Sequence, residues 1–308
     1  MIEPYIGGSP TEKLGRWTHL KKDELQSLLK TAGFSVSLYT ISCLLFVFNY
    51  RKRSLQKVLC HKLVEQRNEQ FEYIAQVKDI FMSKNLPALS IDSKNKELIG
   101  NFYRKGSYYG FEGRKVNDHD FKTLAKAQIS PHGIYDMAAN IGYVTIGTSK
   151  DTAEFVCDNI KNIWTEYLQF QYADSDTLLI LCDGGGSNNA SHYIVKYDLY
   201  KLAQELQMNL LIMHYPPYCS KWNPIEHRLF CHLSRAWEGQ VLDSLETAIS
   251  LAEKTSTKKG LTVKVHKNEK VYLTKRQVPE EFKKNINEFV TFDEKLPKWN
   301  YLIKYKPL

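Results

Sequence analysis

Residues 178–188 read Leu-Leu-Ile-Leu-Cys-Asp-Gly-Gly-Gly-Ser-Asn, and this stretch decides the fold class. Its five consecutive apolar residues are typical of a strand that is buried on both faces of a sheet. An acid ends the strand, and three glycines lead to Ser187 or Asn188, either of which is able to cap a following helix. A buried strand that leads through a short turn into a helix indicates an α/β fold.

Segments on both sides of this stretch continue the alternation. Ala88–Ile91 predicts a strand that ends at Asp92, Glu97–Tyr103 predicts its hairpin partner, and residues 104–130 predict an inserted polar loop. The later predicted elements are a strand at Gly142–Gly147, a helix at 152–170, a helix at 189–207, a strand at Asn209–Met213 and a helix at Pro224–Trp237. Spacing in the last helix predicts that Ile225, Leu229, Leu233 and Trp237 face inward and that Glu226 and Phe230 lie on a different face. The order β-β-β-α-β-α-β-α is that of the ribonuclease H-like fold, a mixed sheet flanked by helices.

Residues 1–57 predict a separate helical unit. Apolar spacing indicates a helix at Lys21–Thr31, Gly33 ends it, and Ser35 caps a second helix that runs to about Phe48. This is a helix-turn-helix-like pattern, although a plain helical hairpin would fit it equally. We expect a linking helix over 58–85, an α/β domain over 86–255 and a basic extension over 256–308.

The positive charge is concentrated near the end of the chain. The formal net charge is +8, and residues 251–308 alone contain 14 Lys/Arg against 7 Asp/Glu. A basic tail favours a polyanionic partner such as nucleic acid, although a solvated surface would look the same. The apolar run Phe34–Phe48 is shorter than the roughly 20 residues of a membrane span. With no paired cysteine motif and no signal peptide, the sequence predicts a cytoplasmic, nucleoid-associated protein without a membrane partner.

Three acids stand where the predicted strand order would bring them together. Asp92 follows the first strand, Asp183 follows the buried strand, and Glu226 lies at the start of a later helix. Clustered carboxylates repel one another unless a cation such as Mg²⁺ neutralises them. Each acid also has a simpler interpretation: a strand end, an Asp-Gly turn, and a capping box with Asn223 as the cap.

The six segments 90–102, 133–140, 151–155, 183–188, 214–230 and 255–263 together resemble the ISAzo-type insertion-sequence transposases, a branch of the DDE transposases with a ribonuclease H-like core. The resemblance spans nearly all of residues 16–303. It implies that Asp92, Asp183 and Glu226 are the catalytic triad and hold two Mg²⁺ or Mn²⁺ ions. The implied reaction is hydrolysis at a transposon end, followed by attack of the freed 3′-hydroxyl on target DNA.

The resemblance also implies partners. We expect binding of double-stranded DNA, both transposon ends and target, by a homo-oligomer, with contacts from Lys94, Lys221, His227, Arg228, Lys258 and Lys259. For His227 and Arg228, local pairing with Glu226 is the alternative. Family members usually carry further helices before the equivalent of Arg16, so this chain is expected to be N-terminally shortened. The second helix is apolar where a base-reading face should be polar. A nuclease without strand transfer and a non-catalytic DNA-binding remnant remain alternatives.

Overall fold

The computed structural model describes residues 18–53 and 64–307, and contacts divide the chain into two units, Met1–Leu63 and Val64–Leu308. In the first unit, helix α1 (Lys22–Thr31) contacts helix α2 (Leu38–Val47). Gly33 has a φ of +91° just after α1, as expected of a helix-ending glycine. The cap of α2 is Ser37, whose hydroxyl accepts a hydrogen bond from Thr40 N–H at 3.1 Å, so the prediction of Ser35 was wrong. None of the helices in the described ranges is long and apolar enough to cross a membrane.

The second unit contains nine strands. They are β1 (Ala88–Ser93), β2 (Glu97–Ile99), β3 (Ala127–Asp136), β4 (Ile141–Gly147), β5 (Thr177–Cys182), β6 (Asn209–His214), β7 (Thr262–Asn268), β8 (Val290–Phe292) and β9 (Asn300–Ile303). Its helices are α3 (Arg67–Ser83), α4 (Ala153–Ile163), α5 (Gln169–Gln171), α6 (Tyr193–Leu206), α7 (Cys231–Trp237), α8 (Leu245–Glu253), α9 (Glu280–Lys284) and α10 (Ile286–Phe289). Two π-helical turns, Trp164–Leu168 and Glu226–Phe230, continue into α5 and α7.

All nine strands belong to one mixed sheet. Its order is β7-β4-β3-β1-β5-β6-β9-β8, and the short β2 pairs with β3 outside this path. Strands β3 and β4 form an antiparallel meander with β1, whereas β5 and β6 run parallel to β1 and follow it through helical crossovers. This is the ribonuclease H-like arrangement, so the predicted fold class is confirmed.

The antiparallel partner of β1 was predicted wrongly. Glu97–Tyr103 was expected to pair with β1, but β3 pairs with it instead. Strand β3 begins at Ala127, near the end of the predicted loop, and its residues 132–136, which pair with β1, had been assigned to no element. Pro131 and Gly133 disguise β3, because both residues usually interrupt strands. Gly133 is required by packing: a Cβ there would lie 2.5 Å from the Phe230 ring.

Helices cover both faces of the sheet. On one face α4 and α6 bury the side chains of Leu89, Ile91 and Ile180. On the other face, the helix that begins at Pro224 packs through the predicted inward set, Ile225, Leu229, Leu233 and Trp237, and all four side chains are buried. Phe230, which was expected on a different face, is also buried there, because the π-helical turn rotates it toward Gly133.

The segments flanking the predicted domain are parts of the same sheet unit. Helix α3 packs Ile74 and Phe81 against β5 and β6, so this helix is not a free link. The basic segment 256–308 supplies β7 at one edge of the sheet and β8 with β9 at the other. Residues 256–308 therefore complete the sheet on both sides. Strand β7 escaped notice because only Val263 and Val265 are apolar and all seven of its side chains are at least partly exposed, as is usual at a sheet edge.

Candidate active site

Asp92 and Asp183 lie at the carboxyl ends of neighbouring parallel strands. Ser90 pairs with Leu181 in the β1–β5 register, and continuing that register by two residues brings Asp92 level with Asp183. Asp92 still belongs to β1 and is only 9% exposed, while Asp183 directly follows β5 and is half-buried. Parallel strands thus bring together two acids that are 91 positions apart in the chain.

Glu226 is brought to the carboxyl ends of the same strands by a buried network of hydrogen bonds. The Asn223 amide donates to the carbonyl of Ile91 at 3.0 Å, and the Ser90 hydroxyl donates to Asn223 Oδ1. The Ile225 N–H in turn donates to Ser90 Oγ at 3.0 Å. Ser90 and Asn223 are both fully buried, so the start of the Glu226 helix is fixed against the strand that carries Asp92.

The capping-box interpretation of Glu226 does not hold. In a capping box the glutamate side chain would accept a hydrogen bond from Asn223 N–H. That N–H instead donates to the Ser220 carbonyl at 2.8 Å, and the Asn223 side chain is engaged with β1. Glu226 opens a π-helical turn, a feature that often marks functional sites. Its carboxylate is left free for another partner.

The three acids influence one another electrostatically. Burial raises the pKa of Asp92 to about 7, with a further contribution from the charge of Asp183 and smaller ones from Glu226 and Asp151. Burial also raises the pKa of Asp183 and of Glu226. For Glu226 the positive charges of His227 and Lys94 oppose this rise. An ionised carboxylate at Asp92 is therefore costly unless a cation stands beside it.

A fourth acid, Asp151, was missed as a site residue. It lies in the turn between β4 and α4, directly before Thr152, which caps α4 by accepting the Phe155 N–H. Strand β4 runs in the same direction as β1, so this turn lies at the same edge as Asp92, and the charge of Asp151 raises the pKa of Asp92 and Asp183. Its Oδ1 is buried without a hydrogen-bond partner in the described structure. The sequence does contain a signal for Asp151: it directly precedes Thr152, which caps a helix that follows a strand.

The backbone of Asp183 is held by a buried histidine. His214 Nδ1 lies 3.0 Å from the Asp183 carbonyl oxygen, and its Nε2 lies 3.1 Å from the Tyr301 hydroxyl. Because a carbonyl only accepts, Nδ1 carries the proton and Tyr301 donates to Nε2. Burial lowers the pKa of His214 to about 4, so the ring is neutral at neutral pH. Tyr301 belongs to β9, so the C-terminal segment supports the candidate site.

The glycines after Asp183 form a turn rather than a helix start. Gly185 N–H donates to Asp183 Oδ1 at 3.2 Å, and Gly186 has a φ of +55°. The prediction that Ser187 or Asn188 caps the next helix was wrong, because α6 begins only at Tyr193. Gly186 serves the turn itself, since only Gly readily adopts positive φ.

The predicted DNA-contacting residues divide into two groups. Lys94 lines a cleft of about 250 Å³ together with Ser93 and Glu226, and its ammonium pairs with Glu97 at 2.8 Å. Three more, Lys221, His227 and Arg228, are exposed within six residues of Glu226. Lys258 and Lys259 lie elsewhere. The Lys259 carbonyl accepts a hydrogen bond from Asn140, beside the start of β4, so both lysines lie at the opposite ends of the strands from the acids.

The donor set suits a hard divalent cation. In residues 18–53 and 64–307, no three Asp, Glu, His or Cys side chains converge closely enough to hold one ion. The acids thus interact through their charges without forming a ready-made cage. Mg²⁺ retains several waters and needs only one or two carboxylates, with substrate phosphates as further ligands. A buried carboxylate whose pKa is about 7 and the unpartnered Asp151 oxygen fit such an ion.

Comparison with solved structures gives matches to Mos1 transposase. The Mos1 paired-end complex with left transposon end is 16% identical with a TM-score of 0.44, and the match covers 78% of this chain and 71% of that one. The pre-cleavage Mos1 transpososome is 15% identical with a TM-score of 0.44, covering 78% and 72%. Similarity at this level assigns no role to any residue here. No curated protein matches the chain.

Comparison with protein families is decisive. The family described as Rhodopirellula transposase DDE domain, ISAZ013 type, matches residues 1–305. The match spans both units and includes all four acids at the carboxyl edge of the sheet. The chain belongs to this family of DDE transposase domains.

Proposed function

We propose that this transposase cuts and joins DNA through Asp92, Asp183 and Glu226, which together hold two Mg²⁺ or Mn²⁺ ions. One observation carries the proposal: a buried network fixes the Glu226 helix to the strand that carries Asp92, and Glu226 makes no capping bond there. The family supports the reaction class. The substrates are double-stranded DNA ends and target DNA, handled by more than one copy of the chain.

Each acid has a distinct environment in this proposal. Asp92 is the most buried of the three, and the charges of both others raise its pKa, so it would gain the most from a cation beside it. Asp183 is half-buried on a glycine turn whose backbone is held by His214. Burial raises the pKa of Glu226, and the nearby charges of His227 and Lys94 oppose this rise without cancelling it. When bound, the ions would neutralise phosphate charge and activate the attacking oxygen.

The surrounding cations have a positioning role. Lys94 lies in the cleft beside Glu226, and Lys221, His227 and Arg228 are exposed next to it, where we expect them to contact phosphates. The His227 ring would first have to leave the Lys221 carbonyl, which its Nε2 contacts. Charge-assisted contacts of this kind would orient the DNA backbone over the acids. Lys258 and Lys259, at the opposite ends of the strands, would contact DNA only outside the cleft.

The test is a joining assay with substituted acids. The full chain is incubated with a short pre-cut duplex bearing a 3′-hydroxyl, a supercoiled plasmid target, and Mg²⁺ or Mn²⁺. Asp183→Asn and Glu226→Gln preserve size but remove the charge that attracts the cation. We expect each to lower joining by at least about a hundredfold while DNA binding persists.

Exposed acids provide matched controls. Asp79→Asn and Glu269→Gln alter acids that are 75% and 67% exposed, so joining should be unchanged. The wild-type chain should also melt at higher temperature with Mg²⁺ or Mn²⁺, and the triad variants should lose this stabilisation. Joining that survives Glu226→Gln would remove Glu226 from the site. Cutting without joining would indicate a nuclease, and binding without any product would indicate a non-catalytic remnant.

A further inference from the structure

The loop between β2 and β3, residues 101–126, exposes an unusual number of aromatic rings. Nine aromatic side chains are exposed among residues 64–307, and five of them lie in this loop: Tyr103, Tyr108, Tyr109, Phe111 and Phe121. The Tyr109 and Phe111 rings are as exposed as in an extended peptide, at 108% and 109%. Burying such rings is favourable, so a concentration of them marks a surface that binds something.

The base of the loop is fixed to the segment that follows the Glu226 helix. Gly239 N–H donates to the Lys105 carbonyl at 3.3 Å, and the Arg114 guanidinium pairs with Asp243 at 2.7 Å. The backbones approach closely at Gly106, where φ is +136° and a Cβ would lie 2.7 Å from the nitrogen of Gly239. The rings are thus presented on an anchored loop rather than on a free tail.

The loop is also joined to the candidate cleft by charge pairs. Lys94, which lines the cleft with Glu226, contacts Glu97 at 2.8 Å, and the same Glu97 lies 3.5 Å from the Arg104 guanidinium. Arg104 in turn donates to the Leu98 carbonyl at 2.7 Å. The first residues of the loop are therefore linked to the cleft through Glu97.

The charge of the loop selects the chemistry of its partner. Residues 101–126 contain six Lys/Arg against three Asp/Glu. Lys105, Lys115 and Lys122 are exposed and form no ion pair within the described parts of the chain. Exposed rings alone would suit an apolar protein surface. Rings interleaved with unpaired cations suit a polyanion that also offers flat aromatic faces, which is nucleic acid with unstacked bases.

We propose that the 101–126 loop binds unpaired bases of the DNA strand beside the cleaved position, by stacking them on Tyr109 and Phe111. Double-stranded DNA hides the faces of its bases, so the loop distinguishes a single strand or a frayed end from intact duplex. The lysines contact the phosphates of the same strand. This role rests on the proposed function, because the reaction is what brings DNA ends to the cleft.

The test measures binding without chemistry. Anisotropy of a labelled 20-nucleotide single strand and of the matching duplex is recorded with the full chain in EDTA, so that loss of catalysis cannot affect the result. We expect Tyr109→Ala/Phe111→Ala to weaken single-strand binding by at least about tenfold and duplex binding by less than about twofold. Tyr109→Trp should retain single-strand affinity. A 2-aminopurine base in the strand should be quenched by the wild type and less by the double variant.

Control variants and the oligomeric state complete the design. Phe170→Ala/Tyr193→Ala removes two exposed rings outside the loop and should leave single-strand binding unchanged. Equal losses on single strand and duplex, or no loss on either, would overturn the proposal. So would unchanged single-strand binding with a lower sedimentation coefficient for Tyr109→Ala/Phe111→Ala, since the rings would then join two copies of the chain. Asp183→Asn should bind the single strand normally, which separates this proposal from the proposed catalytic site.

Discussion

Glu226 and Asp183 both lie at the carboxyl ends of the parallel strands but are held there in different ways. The Glu226 helix is fixed through buried side chains, because Asn223 and Ser90 bond to each other and to backbone groups on both elements. Asp183 lies on a glycine turn whose next residues are exposed, and its main support is one hydrogen bond from His214 to its carbonyl. The first acid depends on a buried polar network, and the second on the conformation of a loop.

This difference teaches where the site is rigid and where it adapts. A buried network has no solvent to replace a lost partner, so it either holds the start of the Glu226 helix in one position or fails to hold it. A glycine turn has many nearby conformations and can shift as ions and phosphates bind. We therefore expect the Asp183 side to close on the ions, while Asp92 and Glu226 provide the fixed frame.

Breaking the buried network should have the largest effect on stability. Asn223→Ala leaves the Ser90 hydroxyl and the Ile91 carbonyl buried without their partner. We expect the free energy of unfolding in urea to fall by roughly 2–4 kcal/mol. Asn189→Ala, on the glycine-turn side, removes only local bonds to Ser191 and should cost less than about 1 kcal/mol. Equal losses in the two variants would contradict the comparison.

The buried carboxyl group of Asp92 should make the stability of the fold depend on pH. The pKa of Asp92 is about 7 in the folded chain, against an ordinary value of 3.8 for an aspartate, so the folded state holds its proton more tightly. Without metal, the free energy of unfolding should therefore decrease as pH rises from about 4 to about 7, by roughly 2 kcal/mol or more from this residue. Asp92→Asn should flatten the dependence in urea titrations with EDTA. An unchanged slope would show that Asp92 titrates normally.

The glycine turn should be sensitive at one glycine and tolerant at another. Gly186 has a φ of +55°, so Gly186→Ala should cost about 1 kcal/mol of unfolding free energy. A Cβ at Gly184 would have its nearest neighbour at 3.9 Å, and this residue has no positive φ, so Gly184→Ala is the matched control. Its cost should be within about 0.5 kcal/mol. A larger loss at Gly184 would mean that space, not backbone conformation, requires these glycines.

The smallest effects should come from cations far from both acids. Lys258→Gln/Lys259→Gln alters exposed residues at the opposite ends of the strands, so stability should change by less than about 0.5 kcal/mol. The slope of log affinity against log salt should fall by at most about 1.8. Lys221→Gln/Arg228→Gln, beside Glu226, should reduce joining as well as affinity. A fall in joining for Lys258→Gln/Lys259→Gln would instead indicate that the reacting DNA contacts the ends of the strands where these lysines lie.

Much of the fold followed from local pattern. The five apolar residues before Asp183 predicted β5, and spacing predicted the inward set of the Glu226 helix. Strand β3 was missed because Pro131 and Gly133 resemble breakers, and Gly133 is explained only by contact with Phe230 nearly a hundred residues later. A local pattern cannot contain such a contact.

The candidate site was predictable in its acids but not in their supports. Asp92, Asp183 and Glu226 each end a strand or open a helix, which the sequence displays. The bond from Asn223 to Ile91 joins residues 132 positions apart, and Asn223 resembled a helix cap. The cations of the C-terminal segment resembled a DNA-binding tail, yet Lys270 pairs with Asp158 and Arg276 with Asp198. Composition counts charges but does not reveal their intramolecular partners.

The two borders of the sheet have a consequence for biosynthesis. Strand β7 closes one side and β9 with β8 closes the other, and all three come from residues 262–303, while the acids lie on earlier elements. A ribosome releases those earlier elements first, so the nascent sheet has two open borders until translation nears the end of this segment. A prematurely stopped product retains all four acids but lacks both borders and the Tyr301 support. We therefore expect a chain to hold its acids in place only after translation has passed through this segment.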